Sequence, residues 1–350
     1  MGGHALSVAQ VRLPAGQYVP LASRLENEFR SFVGGRVEPI QAYRQKPDFG
    51  DLDLLVEAEA LFSLSNDPED RWEAARRWAV SLGASDFAQS GGGPLSFGYP
   101  LGDGTHFQVD LIAVPAAEFD THRDYFAWND LGNLMGRIAH KMGMKYGSQG
   151  LVYPFREGTH LVEEVLVTRS TDEALSFMGY DASRWKAGFD DLEDMFKFAS
   201  STPFFNPDIF ALENLNNKNR TRNRKRKTFM TFLGWLEEGG WQGEPFEFPE
   251  DRSVWLPVAI ARFPEFGRRL EDCAARQEAL RVQRAKFNGR LLSQWTGLEG
   301  EALGIAMAKL RRAAGSDQDL ANLVSSFDGD ELKEQILGLL AASDRARMSP

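Results

Sequence analysis

Gly50-Asp51-Leu52-Asp53-Leu54-Leu55-Val56 sets two carboxylates two residues apart at the start of an apolar run. In a strand, residues i and i+2 share a face, so Asp51 and Asp53 point together while Leu52 and Leu54 point into a core. A third acid, Asp110, lies in Phe107-Gln108-Val109-Asp110-Leu111-Ile112, a second run of strand character able to pair beside the first. Three clustered carboxylates repel strongly at reduced dielectric, and a divalent cation relieves that cost. Oxygen-only ligation points to Mg²⁺ or Mn²⁺ rather than zinc, and a lone cysteine, Cys273, cannot build a cysteine-rich zinc site. Such a centre suits two-metal phosphoryl or nucleotidyl transfer, with one ion activating an attacking hydroxyl and the other holding a triphosphate. Asp-x-Asp is also a common solvated strand-start element, and the three acids alone leave that alternative open.

The elements that must position these residues are legible from pattern. Val37 to Ala42, Leu52 to Val56 and Phe107 to Val114 read as short strands bounded by Gly, Pro and Asp. Asp67-Pro68-Glu69-Asp70 opens a helix that runs to Leu82, with Asp67 as cap, Pro68 in the first turn and Gly83 as the stop. Ser90-Gly91-Gly92-Gly93-Pro94 reads as a turn before further strands. Asn129 to Met142 has the clearest helical period: Leu131, Leu134, Met135, Ile138, Ala139 and Met142 form one apolar face, and Asn133, Arg137, His140 and Lys141 form the other. Gly143 supplies a left-handed C-cap, and Lys145 to Gly150 reads as the turn that follows. From Asp190 the composition shifts to long helical patterns, which sets a domain boundary near residue 186. The expected fold class is α+β, a mixed sheet with flanking helices followed by a mainly helical domain.

The chain has 350 residues, 43% of them hydrophobic, and a formal net charge of −10. That is ordinary globular composition for two or three domains. No apolar stretch approaches the roughly 20 residues needed to span a bilayer, so no membrane partner is expected. Met1 to Pro20 lacks the apolar region of a signal peptide, and one cysteine excludes an internal disulfide; both fit a cytoplasmic protein with no disulfide-linked partner. The acidic balance argues against uniform coating of nucleic acid but allows a local basic site. Such a site is present: Lys218, Arg220, Arg222, Arg224, Lys225, Arg226 and Lys227 fall within residues 218–227, with no acid among them. This concentration suggests contact with a phosphate backbone. A solvated loop and a nuclear address signal are its alternatives. Phe229, Phe232, Leu233 and Leu236 follow at helical spacing and read as core.

Tyr43-Arg44-Gln45-Lys46-Pro47-Asp48-Phe49-Gly50-Asp51-Leu52-Asp53 resembles the palm motif of the polymerase-β-like nucleotidyltransferases, and Val109-Asp110-Leu111 resembles the strand of their third catalytic acid. Tyr125-Phe126-Ala127-Trp128-Asn129-Asp130-Leu131-Gly132-Asn133 through Gly143-Met144-Lys145-Tyr146 resembles the nucleotide-binding helix and turn of family X DNA polymerases. Thr171 to Tyr180 resembles a short helix near that family's C-terminus, and Leu298 to Leu310 resembles a helical motif of CCA-adding enzymes and poly(A) polymerases. The resemblance implies a catalytic domain over residues 21–185, after an N-terminal segment of residues 1–20 and before a helical domain over 186–350 that carries the basic acceptor-binding tract.

It implies that Asp51, Asp53 and Asp110 are catalytic and hold two Mg²⁺ ions, with Mn²⁺ an alternative. Arg44, Lys46, Gly50, Tyr125, Phe126, Asp130, Asn133 and Arg137 would bind the nucleotide. The family's Gly-Ser before the aromatic residue is replaced by Gln41-Ala42, which leaves Arg44 and Lys46 as the residues for the triphosphate. The implied activity is metal-dependent addition of nucleotides from an NTP or dNTP to the 3′-OH of a nucleic acid, DNA or RNA, with release of pyrophosphate. Transfer to a tRNA-type 3′ end, or to a small molecule or protein, is the alternative.

Overall fold

The computed structural model describes residues 5–67, 69–89 and 91–346. The chain divides into two compact units, residues 1–267 and 268–350. The composition shift near residue 186 therefore falls inside the first unit.

The first unit is α+β. In chain order its strands are β1 (Leu13–Pro14), β2 (Val37–Pro39), β3 (Asp48–Phe49), β4 (Asp51–Glu57), β5 (Phe87–Gln89), β6 (Leu95–Pro100), β7 (His106–Val114), β8 (Lys145–Gly147), β9 (Gly150–Glu157) and β10 (His160–Thr168). Its helices are α1 (Ala15–Val33), α2 (Ala58–Phe62), α3 (Glu73–Ser81), α4 (Phe119–Phe126), α5 (Leu131–Lys141), α6 (Thr171–Phe177), α7 (Ala182–Ala187), α8 (Leu192–Ala199), α9 (Asn217–Arg224), α10 (Lys227–Glu237) and α11 (Trp255–Arg262). Helix α12 (Pro264–Lys286) runs across the boundary into the second unit, where α13 (Gly289–Thr296), α14 (Gly300–Ala314), α15 (Asp317–Ser326) and α16 (Gly329–Ala346) follow. Phe287, Leu292, Leu310, Val324 and Ile336 form the second unit's own apolar core. No helix among the described residues is long and apolar enough to cross a membrane.

A five-stranded mixed sheet, in the order β2-β4-β7-β6-β5, is the centre of the first unit. Only β4 and β7 pair in parallel; the other three pairings are antiparallel. Alternation along β4 sends Leu52, Leu54 and Val56 to one face, where they join Val109 and Leu111 of β7 in the main core. Helix α1 covers that core through Leu25 and Phe29, both fully buried, each contributing about 1.5–3 kcal/mol of apolar burial. Trp78 of α3 stacks at a tilt on Phe29, with ring centroids 4.3 Å apart. The opposite face is covered along only part of its length: Leu55 and Val114, at one end of the parallel pair, pack against Phe119 of α4. At the other end the same face carries Asp51, Asp53, Gln108 and Asp110.

Two local expectations need correction. The helix expected to open at Asp67 begins instead at Glu73. Asp67 accepts from the Glu69 N–H at 2.9 Å and Asp70 from the Trp72 N–H at 3.1 Å, so both acids close short turns rather than cap a helix. Pro68, and Ser90 of the glycine-rich turn, lie outside the described residues. Lys145 to Gly150 is not simply a turn: β8 pairs antiparallel with β9, and residues 148–149 alone make the bend. By contrast α5 follows the apolar face of its period, and Gly143, at φ 73°, ends it in the left-handed region that favours glycine.

Candidate active site

The parallel register sets Asp51 beside Gln108 and Asp53 beside Asp110. Carboxylate oxygens of Asp51, Asp53 and Asp110 consequently lie within 4.8 Å of one another, a set able to hold a hard metal ion. Burial, then repulsion from Asp51 and Asp110, pushes the Asp53 carboxyl up to about 8. Asp110 is also raised by burial, but hydrogen bonds from Ser96 and Gln108 oppose the rise. The Gln108 amide is fixed at both ends. Its oxygen accepts the Ala5 N–H at 3.0 Å, which leaves its nitrogen to donate to the two Asp110 oxygens at 2.9 and 3.0 Å. Ser96, opposite Asp110 on β6, is buried.

Basic and aromatic groups approach these acids from the segment before β4. Lys46 Nζ lies 4.4 Å from the centre of the Phe49 ring, and the other side of Phe49 is taken by Tyr18, stacked at 3.6 Å and nearly parallel. Burial lowers the Lys46 ammonium, while the fields of Asp51 and Asp53 pull it back up. The Tyr18 hydroxyl is raised well above the usual range, first by burial and then by Asp53 and Asp51. Gly50 is buried between β3 and β4. Arg44 is occupied differently: its guanidinium pairs with Asp190 at 2.5 Å and donates to the Ala187 carbonyl, and its main-chain N–H donates to Phe189 O at 3.0 Å. Of the two cations expected at the triphosphate, Lys46 is the one that feels Asp51 and Asp53.

Tyr125 and Phe126 end α4. Tyr125 meets Tyr146 edge-on at 5.5 Å, and Phe126 keeps 37% of its surface exposed. The closeness of α4 to α5 depends on Gly132, where a side chain would start 2.4 Å from Tyr125 O. Between the two helices, Trp128 and Asn129 both have left-handed φ, at 59° and 57°, and Trp128 N–H donates to Gln41 O at 2.8 Å. Two successive non-glycine residues in that region store backbone strain. Asp130, Asn133 and Arg137 follow on the polar face of α5. Asp130 makes no side-chain cap to that helix and pairs instead with Arg226. Asn133 accepts from Arg222 at 3.3 Å and faces Asn223 at 3.5 Å, while Arg137 donates to Ile209 O at 3.1 and 2.8 Å.

The basic tract is thus partly structural. Arg220 closes the carbonyls of Leu212, Glu213 and Leu215, and Arg222 and Arg226 dock on α5. Lys218, Arg224, Lys225 and Lys227 are exposed, and their side chains have no hydrogen-bond or ion-pair partner among the described residues. Phe229 and Phe232 of α10 are fully buried, as core residues should be. Gln108, Ser96 and Tyr18 escaped the sequence reading. Gln108 alone left a signal there, two residues before Asp110 and so on its face of the strand. Compared with known proteins, the chain matches no protein-family model and no curated protein.

Proposed function

We propose that this protein is a metal-dependent nucleotidyltransferase with a polymerase-β-like catalytic domain, acting on a nucleoside triphosphate and the 3′-OH of a nucleic acid. The observation that carries this reading is the convergence of Asp51, Asp53 and Asp110, from adjacent parallel strands, on one partly buried spot beside Lys46. The mixed sheet, with its acids on the less covered face, supports the same fold assignment. Asp51, Asp53 and Asp110 are the residues that would hold Mg²⁺ or Mn²⁺, and the donor set fits, being all oxygen, hard and strongly anionic. Bound there, the metal would supply activation of the acceptor hydroxyl and neutralisation of the triphosphate.

The chain's own residues supply position. Gln108 and Ser96 hold the Asp110 carboxylate in one orientation. Lys46, braced on Phe49, offers a point charge to phosphate oxygens. In the reaction the acceptor oxygen bonds to the α-phosphorus as the bond from that phosphorus to its bridging oxygen breaks; pyrophosphate leaves, and the hydroxyl proton passes to a carboxylate of the triad. Lys218, Arg224, Lys225 and Lys227 would hold the acceptor's backbone.

The test is an extension assay in Mg²⁺ and in Mn²⁺ with labelled single-stranded DNA, primed duplex DNA and tRNA-like RNA, each given all NTPs or all dNTPs. Extension of one acceptor is expected, and Asp53→Asn should abolish it; wild-type turnover in that variant overturns the reading. A second reading, transfer to a small molecule or protein, draws support from the engagement of Arg220 and Arg226 inside the protein. It predicts pyrophosphate release that is indifferent to neutralising the four exposed cations.

A further inference from the structure

Helix α5 carries a second concentration of positive charge, at the end remote from Asp130. Arg137, His140 and Lys141 share its polar face, and Arg252, from the turn at Arg252–Val254, reaches over them with Nη1 3.5 Å from His140 Nε2. The main chain of Arg252 lies against Gly143, where a side chain would begin 3.4 Å from Arg252 O. Arg156 of β9 adds its field at His140. None of Arg137, Lys141, Arg156 and Arg252 has a carboxylate within ion-pair distance among the described residues, although Arg36, Arg76, Arg123 and Arg184 all do. Cations this close repel one another, and no paired carboxylate among the described residues offsets the repulsion. Burial first, then the fields of the neighbouring cations, lower both His140 and Lys141.

The shape beside the cluster narrows what it could bind. Arg137 and Lys141 open onto a recess of about 330 Å³ that Asp208 and Glu247 also line. A compact anion filling it would meet two carboxylates. An extended anion crossing the surface over Arg252, Lys141 and Arg156 would not need to enter. The opposite end of α5 is where Asn133 and Asp130 receive Arg222 and Arg226 of the basic tract. Eleven residues separate these ends by about 16 Å, the length of four or five phosphates at about 3.4 Å each along one strand.

Resting on the nucleotidyltransferase reading, we infer that the polar face of α5 is a track for the phosphodiester backbone of the acceptor, running from Arg222 to the unpaired cluster of Arg137, Lys141, Arg252 and Arg156. The experiment is fluorescence anisotropy of labelled single-stranded and duplex oligonucleotides against the full chain over a potassium chloride series. It compares wild type with a Lys141→Ala/Arg156→Ala/Arg252→Ala triple variant, and with a Lys186→Ala/Lys197→Ala control drawn from ion-paired surface lysines. The triple variant is checked for wild-type circular dichroism, and Arg252→Glu, a single change at an exposed side chain, provides a second test should the triple variant fold poorly.

The expected result is a salt dependence shallower by about 0.7 in the logarithmic slope for each lost contact on a single strand, so about 2 for three, with the control unchanged. A wild-type slope and affinity in the triple variant, or in a folded Arg252→Glu when the triple variant does not fold, overturn the track and leave the nucleotidyltransferase reading intact. Failure of wild type to bind either oligonucleotide overturns both the track and the nucleic-acid acceptor. The expected slopes without any Mg²⁺-dependent pyrophosphate release would support the track and sink the enzyme.

Discussion

Replacing Asp53 by Asn should stabilise the metal-free protein even as it abolishes turnover. At the 4.8 Å limit of the triad, Coulomb's law gives about 3.5 kcal/mol for each pair of charges at an effective dielectric near 20. The raised carboxyl, which also carries the cost of burial, sets an upper figure: moving from about 3.9 in the unfolded chain to about 8 in the folded one corresponds to roughly 5.6 kcal/mol once it ionises. Solvent screening at the open side of the site brings the expected difference to about 2–4 kcal/mol. The sign follows from proton counts. Between about pH 4 and pH 8 the folded protein keeps a proton on Asp53 that the unfolded chain has released, so wild-type stability falls as pH rises through that window and levels off above it. Asn does not titrate and removes this fall.

Urea unfolding in EDTA, followed by tryptophan fluorescence at pH 5 to 9, checks this. Seven of the eight tryptophans lie within residues 1–267, so the signal reports on the unit that holds the triad. The variant's advantage should widen between pH 5 and pH 8. Saturating Mn²⁺ should then reverse the order, since a ligand at about 1,000 times its Kd adds about 4.1 kcal/mol to the protein that binds it. A variant less stable than wild type at pH 8, or a difference independent of pH, would refute the account of a self-repelling carboxylate centre.

Gln108→Leu leaves the Ala5 N–H unpaired and the Asp110 oxygens with Ser96 but without the amide, and should weaken Mn²⁺ binding at least tenfold by calorimetry; unchanged affinity would show that the amide does not orient the acid. Asn129→Gly relieves left-handed strain and should raise stability by about 0.5–1 kcal/mol in thermal melts, whereas Asn129→Val should lower it. Gly132→Ala drives a methyl group against Tyr125 O and should cost about 2–4 kcal/mol; a melting temperature equal to wild type would mean that α4 and α5 can separate freely.

What could be read from the sequence depended on how local the cause was. Asp51, Asp53 and Asp110 were legible as neighbours because strand alternation fixes faces within a few residues, and the pairing of β4 with β7 then needed only apolar continuity. Helix α5 was legible because eleven residues repeat one period. Helix α1 was not singled out, although Tyr18, Ala22, Leu25, Phe29 and Val33 recur at helical spacing, because Pro20 and scattered polar residues interrupt the run. The capping expected of Asp67 failed because short polar side chains close turns as readily as they start helices. Long-range partners left no trace at all: nothing near Asp130 announces Arg226, ninety-six residues away, and nothing near Arg44 announces Asp190.

The alignment of β4 on β7 also bears on how the sheet forms. Sliding β4 by two residues, so that Asp53 faces Gln108 and Asp51 faces His106, would keep every side chain on its own face while setting the acids beside an amide and an imidazole. By charge alone this misaligned sheet is the better one. The apolar side chains do not decide between the two, since the shift sets Leu52, Leu54 and Val56 against Phe107, Val109 and Leu111. A divalent ion present while the chain folds would tip the competition toward the native alignment, because the shifted strands offer it no three-carboxylate seat. In the proposed enzyme the metal would thus also act as a proofreader of the sheet that carries its ligands.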